Sequence, residues 1–279
     1  MKKGILLSTA IFLALVSLSY AQQEPQKGEL HGSIGATFTS KYIWRGFDIF
    51  GDKSAIHPEV DVDLFGTGFG INVTAHRANS SGFEEFVPGM HAGERWDYAL
   101  YYQNMLFADQ PYATNYRASW VYYNYPDNEN EDFDLQELNA VLAWPKILPI
   151  KGLVPAYAIV KLWPSSSGSL IGAPRSNGTA SGWAHIVMLD YALPIICPLT
   201  NIERTLNLHS EIVYNDGVGP NGANVDHDWS NAVLGVSTNF DITESIVFTP
   251  GIFHQITMDK TVNDDKDETW VSLGLKYKF

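Results

Sequence analysis

The sequence predicts an all-β chain: an antiparallel transmembrane β-barrel of about twelve strands behind a cleaved leader. Three observations predict it. Polarity alternates residue by residue through most of the chain, the connections between alternating segments are long and short in turn, and the final segment alternates up to a terminal aromatic. Successive strand residues point to opposite faces, so period two separates an apolar face from a polar one.

Composition narrows the choice. Charged residues make up 18% of the 279-residue chain, below the roughly 25% of an ordinary soluble domain. With 18 Lys+Arg against 31 Asp+Glu and a net charge of −13, the chain lacks the basic surface of a nucleic-acid binder. The single cysteine, Cys197, excludes an internal disulfide framework and a multi-cysteine zinc site. Met1-Lys2-Lys3, the apolar run from Gly4 to Leu18 and Ser19-Tyr20-Ala21 form the basic, apolar and small-residue parts of a secretory leader over 1–21. Beyond it, no apolar run approaches the roughly 18 residues of a membrane helix. Residues 22–29 are then a short periplasmic tail and 30–279 one barrel domain.

The segments follow in order. In 30–44, Leu30, Ile34, Ala36, Phe38 and Tyr42 alternate with His31, Ser33, Thr37, Thr39 and Lys41. In 56–65, Val60, Val62 and Leu64 alternate with Glu59, Asp61 and Asp63, and in 69–77 Phe69, Ile71, Val73 and Ala75 alternate with Gly70, Asn72, Thr74 and His76. Similar patterning defines 96–104, 115–124, 133–144, 182–193, 205–214, 230–239 and 268–279. The phase is ambiguous in 153–163 and 245–255, where both faces are apolar and Pro155 and Pro250 remove a ladder donor. Most segments are near the 9–11 residues that a tilted strand needs to cross a bilayer.

Odd connections (78–95, 164–181, 215–229 and 256–267) are long and polar, while even ones such as 66–68 and 241–244 are short; 105–114 and 194–204 are longer than ideal. Long loops at one end and short turns at the other describe an outer-membrane barrel. An even strand count puts both termini at the short-turn end. Because a charge facing lipid is costly, Glu59, Asp61 and Asp63 must point inward. Aromatics cluster near segment ends, with Tyr42, Trp44, Trp96, Tyr122, Trp163 and Trp183 expected at the outer rim. Val271, Leu273, Leu275, Tyr277 and Phe279 share a face. A last strand with Tyr277 two residues before Phe279 resembles the assembly signal read by the bacterial barrel-insertion machinery.

Two stretches carry a family resemblance. One is Ser40-Lys41-Tyr42-Ile43-Trp44-Arg45-Gly46 followed by Pro58; the other is Val121-Tyr122-Tyr123-Asn124-Tyr125-Pro126 followed by Glu137. Together they resemble the TorF-like family of outer-membrane porins of Gram-negative bacteria. The resemblance implies an outer-membrane location and a pore, and no particular substrate.

The phase places Lys41, Arg45, Glu59, Asp61, Asp63, Asp97, Arg117, Glu137, Asp190, Glu211, Lys276 and Lys278 inside, seven acids to five bases. Lys41 and Arg45, on the strand before Glu59 and Asp61, are the expected partners of those carboxylates. A charged constriction of this kind selects solutes by charge, and the acidic surplus points to weak cation preference. The expectation is a passive channel for small hydrophilic solutes in the bacterial outer membrane. It would contact lipid and lipopolysaccharide and carry neither cofactor nor metal. A lumen filled by salt bridges would instead make a structural or adhesive barrel that displays its loops. An enzyme is not expected. No Gly-x-Ser-x-Gly elbow occurs, adjacent His209 and Ser210 point to opposite faces, and His31, His57, His76 and His185 read as scattered wall residues. A lipid-hydrolysing barrel and a soluble β-sandwich are the weaker alternatives.

Overall fold

The computed structural model describes residues 28–80, 93–126, 134–165, 182–196, 203–217 and 227–279. The leader, residues 22–27 of the tail, Cys197 and most of the connections 78–95, 127–134, 164–181, 194–204 and 215–229 lie outside the described residues.

The twelve strands that build the wall are β1 (His31–Thr39), β2 (Ala55–Asp63), β3 (Phe69–Ala78), β4 (Glu94–Leu106), β5 (Thr114–Asn124), β6 (Leu135–Ala143), β7 (Leu153–Pro164), β8 (Gly182–Ile196), β9 (Glu203–Asp216), β10 (Asp228–Thr238), β11 (Ile246–Thr257) and β12 (Glu268–Lys278). Each pairs antiparallel with the next, and β1 pairs with β12 from Ser33↔Lys278 to Thr39↔Ser272, so the sheet closes. Closure leaves no open edge, which is what lets a sheet exist in hydrocarbon. A soluble sandwich would keep its edges. Among the described residues no helix is long and apolar enough to cross a membrane.

The burial pattern is the reverse of a soluble domain. Ile34 is 52% exposed and Leu138 55%, and Val60, Ile71, Leu100, Val187, Leu234, Leu273 and Leu275 are exposed with them. The buried class instead holds Asp97, Glu137, Asp190, Glu211 and Lys276. Aliphatic side chains thus form an outer belt suited to lipid, and polar groups fill the interior. Gly32 and Phe279 exchange two backbone hydrogen bonds of 3.0 Å, and the Gly28 N–H reaches the Phe65 carbonyl at 3.4 Å. Both ends of the wall therefore meet at the short-turn end. Pro155 is tolerated because its missing N–H faces the β6 side beyond that strand's last residue, where its carbonyl accepts the Trp144 N–H at 3.0 Å.

The expected first strand over 30–44 is corrected: β1 stops at Thr39. Residues 40–54 instead turn into the barrel. Ile43–Trp44 pairs with Phe47–Asp48 as a miniature hairpin, with Ile43 opposite Asp48 and Trp44 opposite Phe47. Its two-residue turn has φ 51° at Arg45 and φ 94° at Gly46, the doubly left-handed form that tight β-hairpins favour. Glycine takes that conformation freely; arginine does so at a cost. Tyr42 and Trp44, expected at the outer aromatic rim, are buried with this hairpin.

Candidate constriction of the lumen

The inward hairpin is seated on one side by apolar packing. Trp44, Phe47, Ile49 and Phe50 belong to one buried cluster with Val154, Ala156, Ala158, Val160 and Leu162 of β7 and Ala184, Ile186 and Met188 of β8. This explains the ambiguous phase of 153–163. One face of β7 meets lipid and the other carries side chains of the hairpin's own cluster, so neither face needs to be polar.

Ion pairs hold the other side. Arg45 at the tip is 1% exposed, and its Nη2 donates to Oε2 of Glu137 on β6 at 2.6 Å. The same oxygen accepts the Tyr123 hydroxyl at 2.9 Å, and Oε1 accepts Asn139 Nδ2 at 2.8 Å. Behind the hairpin, Arg95 donates through Nε and Nη2 to Asp97 at 2.7 and 2.8 Å. It also donates to the Tyr42 hydroxyl at 2.6 Å. Its guanidinium lies 4.7 Å from the Tyr123 ring, 5.0 Å from Trp44 and 5.4 Å from Tyr42, within cation–π range of all three. The tip also reaches the far wall, where Gln255 Nε2 donates to the Gly46 carbonyl at 2.8 Å.

Sequence reading missed Arg95 because its segment began at 96. Arg95 shares the inward parity of Asp97, and that was the signal available. The sequence pattern likewise offers no sign that His57 and His76 meet. In the fold their Nδ1 atoms are 2.8 Å apart. His57 Nε2 contacts Thr39 Oγ1 at 2.8 Å, and His76 Nε2 contacts Asp97 Oδ2 at 3.0 Å.

The expected pairing of Lys41 and Arg45 with Asp61 and Glu59 does not occur. The chain leaves the wall after Thr39 and carries both cations elsewhere. Glu59 instead receives Asn72 Nδ2 at 2.8 Å, with Lys276 Nζ at 3.5 Å. Asp61 accepts the Tyr101 hydroxyl at 2.9 Å, and Arg117 Nη2 lies 3.8 Å away while its guanidinium stacks 3.6 Å over Tyr101. Asp63 accepts the Gly66 N–H at 2.6 Å and closes the β2–β3 turn. On the opposite wall, His209 Nδ1 is 2.7 Å from Asp190 and its Nε2 is 3.4 Å from Glu211. Lys278 is half-buried on the inner face of β12.

Lys41 sits at the outer mouth, paired with Asp52 and, at 2.5 Å, with Glu268. Burial lowers its pKa, but the hydrogen bonds with Asp52 and Glu268 outweigh this and raise it above the ordinary ammonium value. Lys41 in turn holds the Asp52 carboxyl below the usual carboxylate range, while burial pushes Asp48 up. Asp48, Asp52 and Glu268 bring carboxylate oxygens within 4.8 Å of one another. The Lys41 ammonium pairs with two of the three and already answers much of their charge.

No family model and no curated relative matches the chain at the sequence level. Its fold does match solved structures. A KdgM porin superposes with a TM-score of 0.52 at 10% identity, covering 88% of this chain and 99% of that one. A NanC porin gives 0.51 at 10% identity over 89% of this chain and 100% of that one. An outer-membrane channel from Pseudomonas putida F1 gives 0.51 at 13% identity over 93% of this chain and 100% of that one. The fold is that of an outer-membrane β-barrel.

Proposed function

We propose that the chain is an outer-membrane channel for passive diffusion of small hydrophilic solutes, narrowed by the inward hairpin of residues 40–54. The observation that carries the reading is a closed twelve-strand wall with aliphatic side chains outside and paired charges inside. Twelve strands exceed the eight whose interior side chains can fill, and the outer belt suits a bilayer. The likeness in fold to porins supports the reading, as do the short motifs shared with TorF-like porins. In this reading Glu59, Asp61, Asp63, Asp97, Arg117, Glu137, Asp190 and Glu211 line the route, with Arg45 at its narrowest part and Lys41 at the outer mouth. The acidic surplus gives weak cation preference. Lipopolysaccharide surrounds the outer rim, and Tyr277 and Phe279 present the barrel to the insertion machinery. The role is transport, with no catalytic group.

Refolding the mature chain into a planar bilayer tests this. Discrete conductance steps are expected, with a reversal potential under a salt gradient that favours cations. Clear anion preference would overturn the selectivity. The burial of residues 42–50 favours a second reading, a plugged structural or adhesive barrel. A chain whose hairpin is replaced by a short Gly-Ser turn separates the two. If that chain folds and still passes no ions, the channel reading is wrong.

A further inference from the structure

We propose that His57 and His76 form an acid-sensitive latch that holds the root of the inward hairpin and releases it when both imidazoles carry a proton. The inference rests on the channel reading for its purpose, but the geometry of the latch does not depend on ion flow.

Hydrogen-bond direction fixes the protons. Asp97 Oδ2 accepts, so His76 Nε2 carries a hydrogen and His76 Nδ1 is left as an acceptor. His57 Nδ1, 2.8 Å away, must then donate, and His57 Nε2 accepts the Thr39 hydroxyl. Hydroxyl, two rings and carboxylate form a chain with one proton per link. A first added proton can be absorbed. Charged His76 donates through Nδ1, His57 turns to its other tautomer, and Thr39 becomes the acceptor. A second proton cannot be absorbed, because both facing Nδ1 atoms would then carry hydrogens at a separation that requires one donor and one acceptor.

The hairpin root leans on this pair. The Tyr42 ring stacks on His76 at 4.6 Å and 13°, and lies 4.9 Å from His57. The charged groups around the rings are Arg95 and Asp97 of β4, with Glu59 two residues along β2. Asp97 already binds Arg95 through both oxygens, so it is poorly placed to neutralise two more cations. His57, His76, Arg95 and Tyr42 are each at most 2% exposed. Relief of that charge requires water, and water reaches the rings when Tyr42 leaves. Acid therefore frees the hairpin and widens the throat.

The test reads hairpin release directly. Cys197→Ala removes the native thiol, and Ile49→Cys places one in the buried hairpin. Reaction with a membrane-impermeant maleimide is measured against the same chain carrying Lys260→Cys, an exposed outer-loop position, which corrects for thiol ionisation. The relative rate is expected to rise about tenfold between about pH 7.5 and about pH 4, the lower limit lying below the ordinary histidine range because both buried rings must carry charge side by side next to Arg95. H57Q/H76Q, which cannot take either proton, should give a flat ratio. Should the double variant fail to show the heat-modifiable mobility of a folded barrel, H57Q or H76Q alone decides, since each lacks the second proton. A flat ratio in the histidine chain, or an equal rise in the glutamine chains, overturns the latch. If labelling rises but no current flows at any pH, the latch stands and the channel reading falls; an acid-indifferent current with flat labelling gives the reverse.

Discussion

Arg45 and Glu137 pair at 2.6 Å, and Glu137 is fully buried, but their positions are not equivalent. Glu137 is fixed in the wall, whereas Arg45 rides on the hairpin that the proposed latch would release. Removing one member of a buried pair costs about 3–5 kcal/mol when the other stays buried. Arg45→Met should therefore lower barrel stability in urea titrations by a sizeable part of that range. Glu137→Gln should act mainly by expelling the hairpin, seen as noisier and larger current with little change in the unfolding midpoint. R45M/E137L should recover most of the stability. Acid is expected to act at the outer mouth independently of the histidines. Lys41 holds the Asp52 carboxyl down, so this contact is present above the ordinary carboxylate range and is lost as pH falls through the depressed value. Lys41 stays charged throughout that window. Because Asp52 is largely exposed, the effect is small and screened by salt. Lys41→Met should abolish this strongly acidic loosening of the hairpin base while leaving the histidine-dependent step in place.

At the scale of the element, the hairpin depends on one unusual turn. A Cβ at position 46 would lie 2.8 Å from both Asn231 Oδ1 and Val262 Cγ1, at a φ of +94°. Gly46→Ala therefore meets both strain and contact, and roughly 1–2 kcal/mol of backbone strain alone should raise labelling at Ile49→Cys at neutral pH. The wall strands were legible in the sequence because lipid outside and polar groups inside impose period two. The hairpin was not legible, because Tyr42 and Trp44 keep the parity of Phe38 while Lys41 and Arg45 keep that of Thr39, and only Ser40 and Ile43 interrupt the pattern. The left-handed Arg45-Gly46 turn lacks the asparagine or aspartate that usually announces such a bend. Inward carboxylates such as Glu59 and Asp61 could be assigned a face, but not their partners. Partners depend on register across strands, and on where the chain leaves the wall. The histidine pair was hidden for the same reason; it emerges once Ile56 is opposite Arg77, which sets His57 beside His76.

At the scale of the whole molecule, the seam between β1 and β12 decides whether a barrel exists. A Cβ at Gly32 would lie 2.5 Å from the Asp61 carbonyl and 2.8 Å from the Phe279 ring. Gly32→Val should therefore push β1 off both β2 and the Phe279 end of the seam and reduce the fraction of chain with heat-modifiable mobility. A conservative change on the outer belt, such as Leu138→Ile, should leave that fraction unchanged.

The hairpin also has a place in time. Its tip bonds to Gln255, 209 residues further along the chain, and packs against Asn231 and Val262. A chain that crosses the inner membrane N-terminus first, as the expected leader implies, would carry this segment long before its resting place has been made. Contacts between such distant positions form late, so the wall must come together first and the throat fill afterwards. On the channel reading, the newborn barrel is then expected to be at its leakiest just after it closes. Refolding followed by two clocks should show this order, with mobility shift early and protection of the hairpin trailing behind it.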